Sequence, residues 1–127
     1  ADESIWTPHD AMHCIRHQAV DVFNVYVSEA GGLGSAARIF SIAEAARMPC
    51  IIGSMPELGI GTAAQAHLAF AMPNLGYASD VNGCVYHSGD VINEKLPIED
   101  GYMLLPSGPG LGVSLDEAAL DKYRIDR

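Results

Sequence analysis

The sequence predicts an α/β fold with parallel strands, and three observations support this class. β-Branched apolar stretches alternate with Ala-rich amphipathic stretches in the order helix, strand, helix, strand, helix, strand. The connections between the strands are long enough to contain helices, as parallel strands require. Apolar residues make up 49% of the 127 residues, which is enough to bury a core. Because three strands are few for an open parallel sheet, we expect them to be part of a (β/α)8 barrel, a fold of about 250 residues.

The first half of the chain is predicted to contain two helices with a strand between them. Residues 7–19 predict a helix, since Thr7 can cap it, Pro8 suits its first position and apolar residues recur on one face. Residues 22–27 are β-branched and aromatic, as is typical of a strand. Residues 35–47 predict an Ala-rich helix with one apolar face.

The second half continues the same alternation before its composition changes. Residues 50–53 predict a short buried strand, residues 61–72 a further Ala-rich helix, and residues 77–81 a last short strand. Beyond residue 83 the chain becomes richer in Gly, Pro and Asp. The alternating part of the fold is therefore expected to end near that point.

The Gly- and Pro-rich tail carries weaker signals. An extended pair is expected around residues 102–105, followed by a turn at the GPGLG sequence of residues 108–112. Residues 114–123 predict a final short helix. Ser114 would cap it, because Glu117 stands three residues later, as in a capping box.

Charge and cysteine content exclude several classes of protein. The formal net charge of −9 at pH 7 argues against binding to nucleic acid or to anionic membranes, both of which favour basic surfaces. No apolar run reaches membrane-spanning length. The three cysteines, Cys14, Cys50 and Cys84, have no paired spacing, which favours reduced thiols in a cytoplasmic protein.

Two motifs suggest ligand sites, but a structural role explains each of them better. The GGLG sequence of residues 31–34 follows a predicted strand and opens a helix, yet it lacks the G-x-G-x-x-G spacing of dinucleotide-binding loops. We interpret its glycines as a tight turn. His9, His13 and His17 recur every four residues and would share one helix face. Without an HExxH pattern or a further ligand, we interpret them as surface residues.

Acidic residues near the predicted strand ends form a better candidate site. Glu57 follows the strand at residues 50–53, and Asp80 stands at the end of the strand at residues 77–81. In parallel α/β folds, sites lie at the carboxyl ends of the strands, where Tyr26 is also expected. These carboxylates could bind a hard cation such as Mg²⁺ or orient a substrate. They could equally cap helices or loops.

The long segment DVFNVYVSEAGGLGSAARIFSIAEAARMPCIIGSMPELGIGTAAQAHLA resembles the enolase superfamily, in particular its mandelate-racemase-like and muconate-lactonizing enzymes. The tail GYMLLPSGPGLGVSLDEAALDKYR is similar to the family's return segment. The resemblance implies that residues 1–83 are the C-terminal part of a (β/α)8 (TIM-type) barrel, and that residues 84–127 close it and return to a capping domain. The N-terminal part of the barrel and that capping domain would lie outside this sequence.

The resemblance also implies a metal site. Family members hold a divalent metal, usually Mg²⁺, with three acids at successive strand ends, and the third acid is followed by Glu. Asp2 matches that third ligand, with Glu3 adjacent to it. The first two ligands and a Lys-x-Lys pair would lie upstream. An open half-barrel would expose sheet edges and an apolar interior, so an isolated monomer is not expected, and the complete enzyme is expected to be a homo-oligomer.

By the same resemblance, four further residues would face the substrate, a small carboxylate. Tyr26 stands where the family has a catalytic lysine, and Asn24 lies two residues before it. Glu57 matches the acid after the seventh strand, and Asp80 lies where relatives carry an acidic substrate-contacting residue after the eighth. With Tyr26 at the lysine position, this residue could donate a proton or a hydrogen bond, or could only fill space.

The implied activity is proton abstraction alpha to a carboxylate, with the metal stabilising the resulting charge and an upstream lysine acting as base. A lyase, dehydratase or cycloisomerase is favoured. Two alternatives stay open: a racemase or epimerase, if Tyr26 can act as the second acid or base, and a non-catalytic half-barrel that supports another chain.

Overall fold

A computed structural model of the protein describes residues 1–125. The helices are α1 (Pro8–Arg16), α2 (Leu33–Ala45), α3 (Gly59–Ala71) and α4 (Glu117–Tyr123), with a 3-10 turn at Gly83–Tyr86. The strands are β1 (Phe23–Tyr26), β2 (Cys50–Gly53), β3 (Ile98–Glu99) and β4 (Tyr102–Met103). The predicted mixed α/β class is confirmed. Within residues 1–125, no helix is long and apolar enough to cross a membrane.

Helix α1 begins where the sequence predicts and ends earlier. The side chain of Thr7 accepts a hydrogen bond from the Asp10 amide, and the Asp10 carboxylate accepts one from the Thr7 amide. This reciprocal capping box satisfies two donors that the helix itself leaves free. The helix ends at Arg16 rather than near residue 19, because Gln18 adopts a positive φ of 48°.

Strands β1 and β2 form a parallel pair, with Phe23 opposite Cys50 and Tyr26 opposite Gly53. Because side chains alternate along a strand, Phe23 and Val25 face the helices and are fully buried, while Asn24 and Tyr26 share the opposite face. The structure thereby confirms parallel pairing and leaves one face of the pair for a site.

Both flanks of this pair carry further chain segments. On the β1 side, the Ala1 carbonyl accepts from the Asn24 amide at 2.8 Å, so the first residues lie beside β1. On the β2 side, the Asp80 amide donates to the Ile52 carbonyl at 2.8 Å, and Cys50 forms an isolated parallel bridge with Leu75. Four segments therefore lie side by side in chain order.

The prediction of a strand over residues 77–81 is wrong, since this stretch contains no regular strand. The hydrogen bonding between this stretch and β2 is irregular, since the Ile52 amide donates to the Ser79 hydroxyl at 3.0 Å instead of to a backbone carbonyl. A side chain thus occupies the place of a ladder hydrogen bond, and the segment follows β2 as an irregular edge.

The core lies between the parallel pair and the helices, and its members are mostly apolar. Its largest fully buried apolar side chains are Phe23, Phe40, Ile5, Ile39 and Ile52. The Ala-rich faces of α2 and α3 let both helices approach closely. Gln65 is also buried in α3, and its amide donates to the Gly53 carbonyl at 3.1 Å, which ties that helix to the end of β2.

The glycine loop is a turn, as predicted. Gly31 and Gly32 have φ values of 80° and 110°, which favour glycine, and Gly32 caps α2. In the tail, β3 and β4 form the expected extended pair, although it is centred earlier than residues 102–105.

The predicted capping of the last helix is wrong. Asp116 caps α4, accepting from the Ala119 amide at 3.0 Å. Ser114 instead donates twice to the carboxylate of Glu94, through its amide and its hydroxyl, at 2.7 Å each. The competing carboxylate is distant in sequence, so local spacing did not reveal it.

Candidate active site

The start of the chain and the end of β1 bring three predicted site residues together. The Tyr26 hydroxyl donates to Asp2 Oδ1 at 2.6 Å, and the Asn24 amide nitrogen donates to the same oxygen at 3.0 Å. The Asn24 nitrogen also lies 3.0 Å from the Tyr26 oxygen. Asp2, Asn24 and Tyr26 thus form a closed triangle of hydrogen bonds, which we call the Asp2 triangle.

The electrostatics of the triangle keep Tyr26 protonated. Its hydrogen bond to Asp2, partial burial and the negative charges of Asp2, Glu3 and Glu29 raise the pKa of Tyr26 to about 12. The phenol would therefore serve as a hydrogen-bond donor at neutral pH, since its ordinary pKa is already near 10. Glu3 itself is exposed, and its charge acts on the triangle from the rim.

The end of β2 carries a second polar cluster around Glu57. One carboxylate oxygen accepts from the Ser54 hydroxyl at 2.7 Å and from the Met55 amide at 3.0 Å, and the other accepts from the Ser28 hydroxyl at 3.2 Å. Burial opposes ionisation, but the hydrogen bonds from Ser54 and Met55 outweigh it and lower the pKa of Glu57. Glu57 is held as a carboxylate that bridges the loops after β1 and β2.

Gly53 connects the two clusters. An added Cβ at this position would lie 2.5 Å from Tyr26 Cζ and 2.6 Å from Asn24 Oδ1. The Tyr26 ring and the Asn24 amide therefore lean into space that only glycine leaves free. Because Gly53 has no side chain, the two residues of the Asp2 triangle on β1 can occupy this position.

Two buried oxygens near this edge have no hydrogen-bond partner among the described residues. One is Asn24 Oδ1 and the other is Glu29 Oε2. Burial, followed by the negative charges of Glu3 and Asp2, raises the pKa of Glu29. Both oxygens are acceptors that could receive a donor from a ligand or from another segment.

Asp80 lies at the same edge but outside both clusters. Its backbone amide is tied to Ile52, while its side chain is exposed. Within residues 1–125, no group of three or more His, Cys, Asp or Glu side chains is arranged to hold a metal ion. The described residues therefore do not form a complete metal site at this edge.

Sequence reasoning missed several residues that position the site. Ser28 and Ser54 were not singled out, although a serine two residues beyond Tyr26 or directly after β2 can reach a carboxylate at the same edge. Asp90 was also missed: its carboxylate accepts from the Gly59 amide at 2.9 and 3.0 Å, at the start of α3. Asp90 therefore fills the capping role that had been considered for Glu57.

The remaining histidines and cysteines have structural surroundings. His9 and His13 in α1 and His17 directly after it are exposed, and the rings of His13 and His17 lie 4.5 Å apart. The three cysteines are free thiols, as expected, and burial raises the pKa of Cys50 to about 12. His67 contacts the Leu111 carbonyl at 3.1 Å, as a packed and hydrogen-bonded histidine would.

Comparison with known proteins decides the family. The model of the family "Enolase C-terminal domain-like" matches residues 1–119. The chain belongs to the enolase superfamily. Its similarity is to the mandelate racemase and muconate lactonizing branch, as the sequence resemblance implied.

Several curated relatives of this superfamily member are named as isomerases. Muconate cycloisomerase 1 of Rhodococcus opacus is 38% identical over 97% of this chain, and L-Ala-D/L-Glu epimerase of Bacillus subtilis is 33% identical over 89% of it. The chain spans about a third of the length of these relatives, 33% and 31% respectively.

Solved structures agree with this assignment. The crystal structure of 2-chloromuconate cycloisomerase from Rhodococcus opacus 1CP has a TM-score of 0.94 and 36% identity, over 99% of this chain and 34% of that one. The L-Ala-D/L-Glu epimerase from Bacillus subtilis, in a substrate-liganded complex, has a TM-score of 0.82 and 33% identity over 89% of this chain and 31% of that one. The enolase C-terminal domain-like fold is thus shown for this chain.

Proposed function

We propose that the chain is the C-terminal part of the (β/α)8 barrel of a metal-dependent lyase, dehydratase or cycloisomerase, which removes a proton alpha to a carboxylate. Residues 1–83 would belong to the barrel, and residues 84–127 would form the closing tail. The single observation that carries the proposal is the Asp2 triangle, which holds a carboxylate at the strand-end edge where the sequence resemblance implies a metal ligand.

The residues present fit one position of a Mg²⁺ site. Within residues 1–125, the hydrogen bonds to the Asp2 side chain all reach Oδ1, which leaves Oδ2 as a hard oxygen donor of the type that Mg²⁺ prefers. Glu3 stands beside it at the exposed rim. The other acidic ligands would come from the upstream part of the barrel. When bound, Mg²⁺ would supply positive charge that stabilises the charge developing as the alpha proton leaves.

The neighbouring clusters would bind and orient the carboxylate substrate. Asn24 presents a buried, unpartnered Oδ1 that can accept a hydrogen bond. Glu57, held ionised by Ser54, can orient a substrate hydroxyl or a basic group. Asp80 is exposed at the same edge and can contact the outer end of the substrate. The upstream lysine would act as the base.

A racemase or epimerase is the alternative that the relatives themselves suggest, since an epimerase and an N-succinylamino acid racemase are among them. That chemistry would require an acid or base on the second face of the substrate. In this chain the second face presents Tyr26, whose hydroxyl hydrogen is directed at Asp2. The geometry therefore favours the one-base reactions.

The proposal is tested by exchange of the alpha proton with solvent deuterium, followed by NMR on the full-length protein with and without Mg²⁺. The acids to try follow from the names of the relatives: L-Ala-D-Glu and N-succinylamino acids, which carry an alpha proton, and the lactones formed from muconate and chloromuconate, because muconate itself has only vinylic hydrogens beside its carboxylates. We expect Mg²⁺-dependent exchange that Asp2→Asn abolishes. Asp21→Asn, which alters an exposed carboxylate, is the matched control.

The competing idea of a non-catalytic half-barrel makes the opposite prediction. It requires no exchange with any acid of the panel, although the protein is folded. Native mass spectrometry adds a second criterion: a catalytic protein should carry the upstream barrel, either in the same polypeptide or as a companion chain of about 25–30 kDa, given the size of a complete barrel with a further domain.

A further inference from the structure

We propose that Tyr26 is a positioning residue for the Asp2 carboxylate, and that Tyr26 and Asn24 together fix Oδ1 so that Oδ2 alone is presented to the metal ion. The inference rests on the proposed function and goes further. It assigns the tyrosine at the family's lysine position to support of the metal ligand instead of proton transfer with the substrate.

The geometry of the donors carries this inference. A phenol has a single hydrogen, and the 2.6 Å separation between the Tyr26 oxygen and Asp2 Oδ1 is in the range of strong hydrogen bonds to carboxylates. Asn24 donates to that carboxylate oxygen and also lies within hydrogen-bond distance of the phenol oxygen. The hydroxyl is therefore occupied both as a donor and as an acceptor within the triangle.

The surroundings of Tyr26 hold its ring in this orientation. The residue is 8% exposed, and its ring lies across Gly53 of the neighbouring strand, where a Cβ would collide with it. Asn24 is on the same strand face, two residues away. Rigid outer groups of this kind orient metal-ligating carboxylates and tune their affinity.

The exchange of lysine for tyrosine has a chemical consequence. An amine has several hydrogens and can keep one directed at a neighbouring carboxylate while another is transferred to the substrate. The phenol of Tyr26 has no second hydrogen. A group at this position that supports Asp2 cannot serve the second face of the substrate at the same time, which restricts the site to one-base chemistry.

Metal affinity tests the inference without relying on turnover. Mn²⁺, which electron paramagnetic resonance detects, is titrated into the full-length protein and its Tyr26→Phe variant. Loss of one outer hydrogen bond typically costs about 10–100-fold in metal affinity, and we expect Tyr26→Phe to weaken Mn²⁺ binding by about 10-fold or more. Tyr102→Phe, at a tyrosine that is 76% exposed in β4, is the matched control and should bind Mn²⁺ like the wild type.

A kinetic readout separates positioning from proton transfer. If Tyr26 positions Asp2, the rate of alpha-proton exchange by Tyr26→Phe should recover largely when Mn²⁺ is saturating. Wild-type Mn²⁺ affinity in Tyr26→Phe, together with an exchange rate that stays low at saturating metal, would overturn the inference and assign acid-base chemistry to the phenol. The proposed function would survive that result.

Two further outcomes keep the test decisive. Should Tyr26→Phe fail to fold, Asn24→Leu removes the other donor to Oδ1, and unchanged Mn²⁺ affinity in this variant would overturn the inference. A wild-type protein that binds no Mn²⁺ and exchanges no alpha proton would refute the proposed function as well. The wild-type measurement therefore distinguishes a failure of the inference about Tyr26 from a failure of the proposed function.

Discussion

Replacing Gly53 with alanine should destabilise the protein by about 1–3 kcal/mol, the usual cost of forcing an extra methyl group into a packed site. The new Cβ would lie 2.5 Å from Tyr26 Cζ, although ordinary contacts of this kind begin near 3.4 Å. The ring cannot simply turn away, because Tyr26 is buried and its hydroxyl is bonded to Asp2. Relief of the clash would break or lengthen that hydrogen bond.

Urea denaturation measures this cost, and a double-mutant cycle identifies its source. In a Tyr26→Ala background the ring is gone, so Gly53→Ala should cost much less than in the wild type, with only the contact to Asn24 remaining. The coupling free energy should therefore approach the cost of the single change. An equal loss in both backgrounds would refute the reasoning, since the clash with Tyr26 would then contribute nothing.

Three further changes test the surroundings of the site and the core. Glu29→Gln should stabilise the protein at pH 7, because burial and neighbouring charges raise the pKa of Glu29 and so penalise its ionised form in the folded state. In urea denaturation the gain should shrink as the pH falls toward 4.5, where Glu29 itself becomes protonated and the penalty disappears. Ser54→Ala should raise the pKa of Glu57, because it removes a hydrogen bond to the carboxylate. The stability that this carboxylate contributes should then be lost at a higher pH when the protein is acidified. A ¹³C NMR titration of the Glu57 carboxyl group measures the pKa, and an unchanged pKa would contradict the role given to Ser54. Phe40→Ala should cost about 3–5 kcal/mol, since this ring is fully buried, and a loss below about 1 kcal/mol in the same denaturation assay would be incompatible with its position in the core.

The elements that could be predicted from the sequence are those with strong local signals. Helix α1 has its capping residue and its Pro within the same turn, and β2 is a short β-branched run, so both begin where expected. The last predicted strand, over residues 77–81, failed because a side chain of that segment, Ser79, takes the hydrogen bond that a strand backbone would accept. Ser114 failed as a cap for a similar reason, since Glu94 competes for it from a distance.

In the candidate site, too, the features set by local sequence could be predicted, and those that depend on contacts distant in sequence could not. Strand alternation alone places Asn24 and Tyr26 on one face, and the parallel connection brings Glu57 to the same edge. The bond between Tyr26 and Asp2 joins residues 24 positions apart, and it exists only because the first residues lie beside β1. No local pattern in the sequence contains that information.

This distinction matters for the chemistry that a substituted position can perform. A tyrosine where the sequence resemblance implies a lysine suggests an acid or a base when only the residue type is known, because a phenol can act as either. Its three-dimensional partners decide how the hydroxyl is used. Here the Asp2 carboxylate and the Asn24 amide already form hydrogen bonds with the phenol oxygen, and Gly53 in the next strand leaves space for the ring. A tyrosine at position 26 opposite a bulkier residue at position 53 would be displaced from Asp2. The role of residue 26 should therefore be interpreted together with the identity of residue 53.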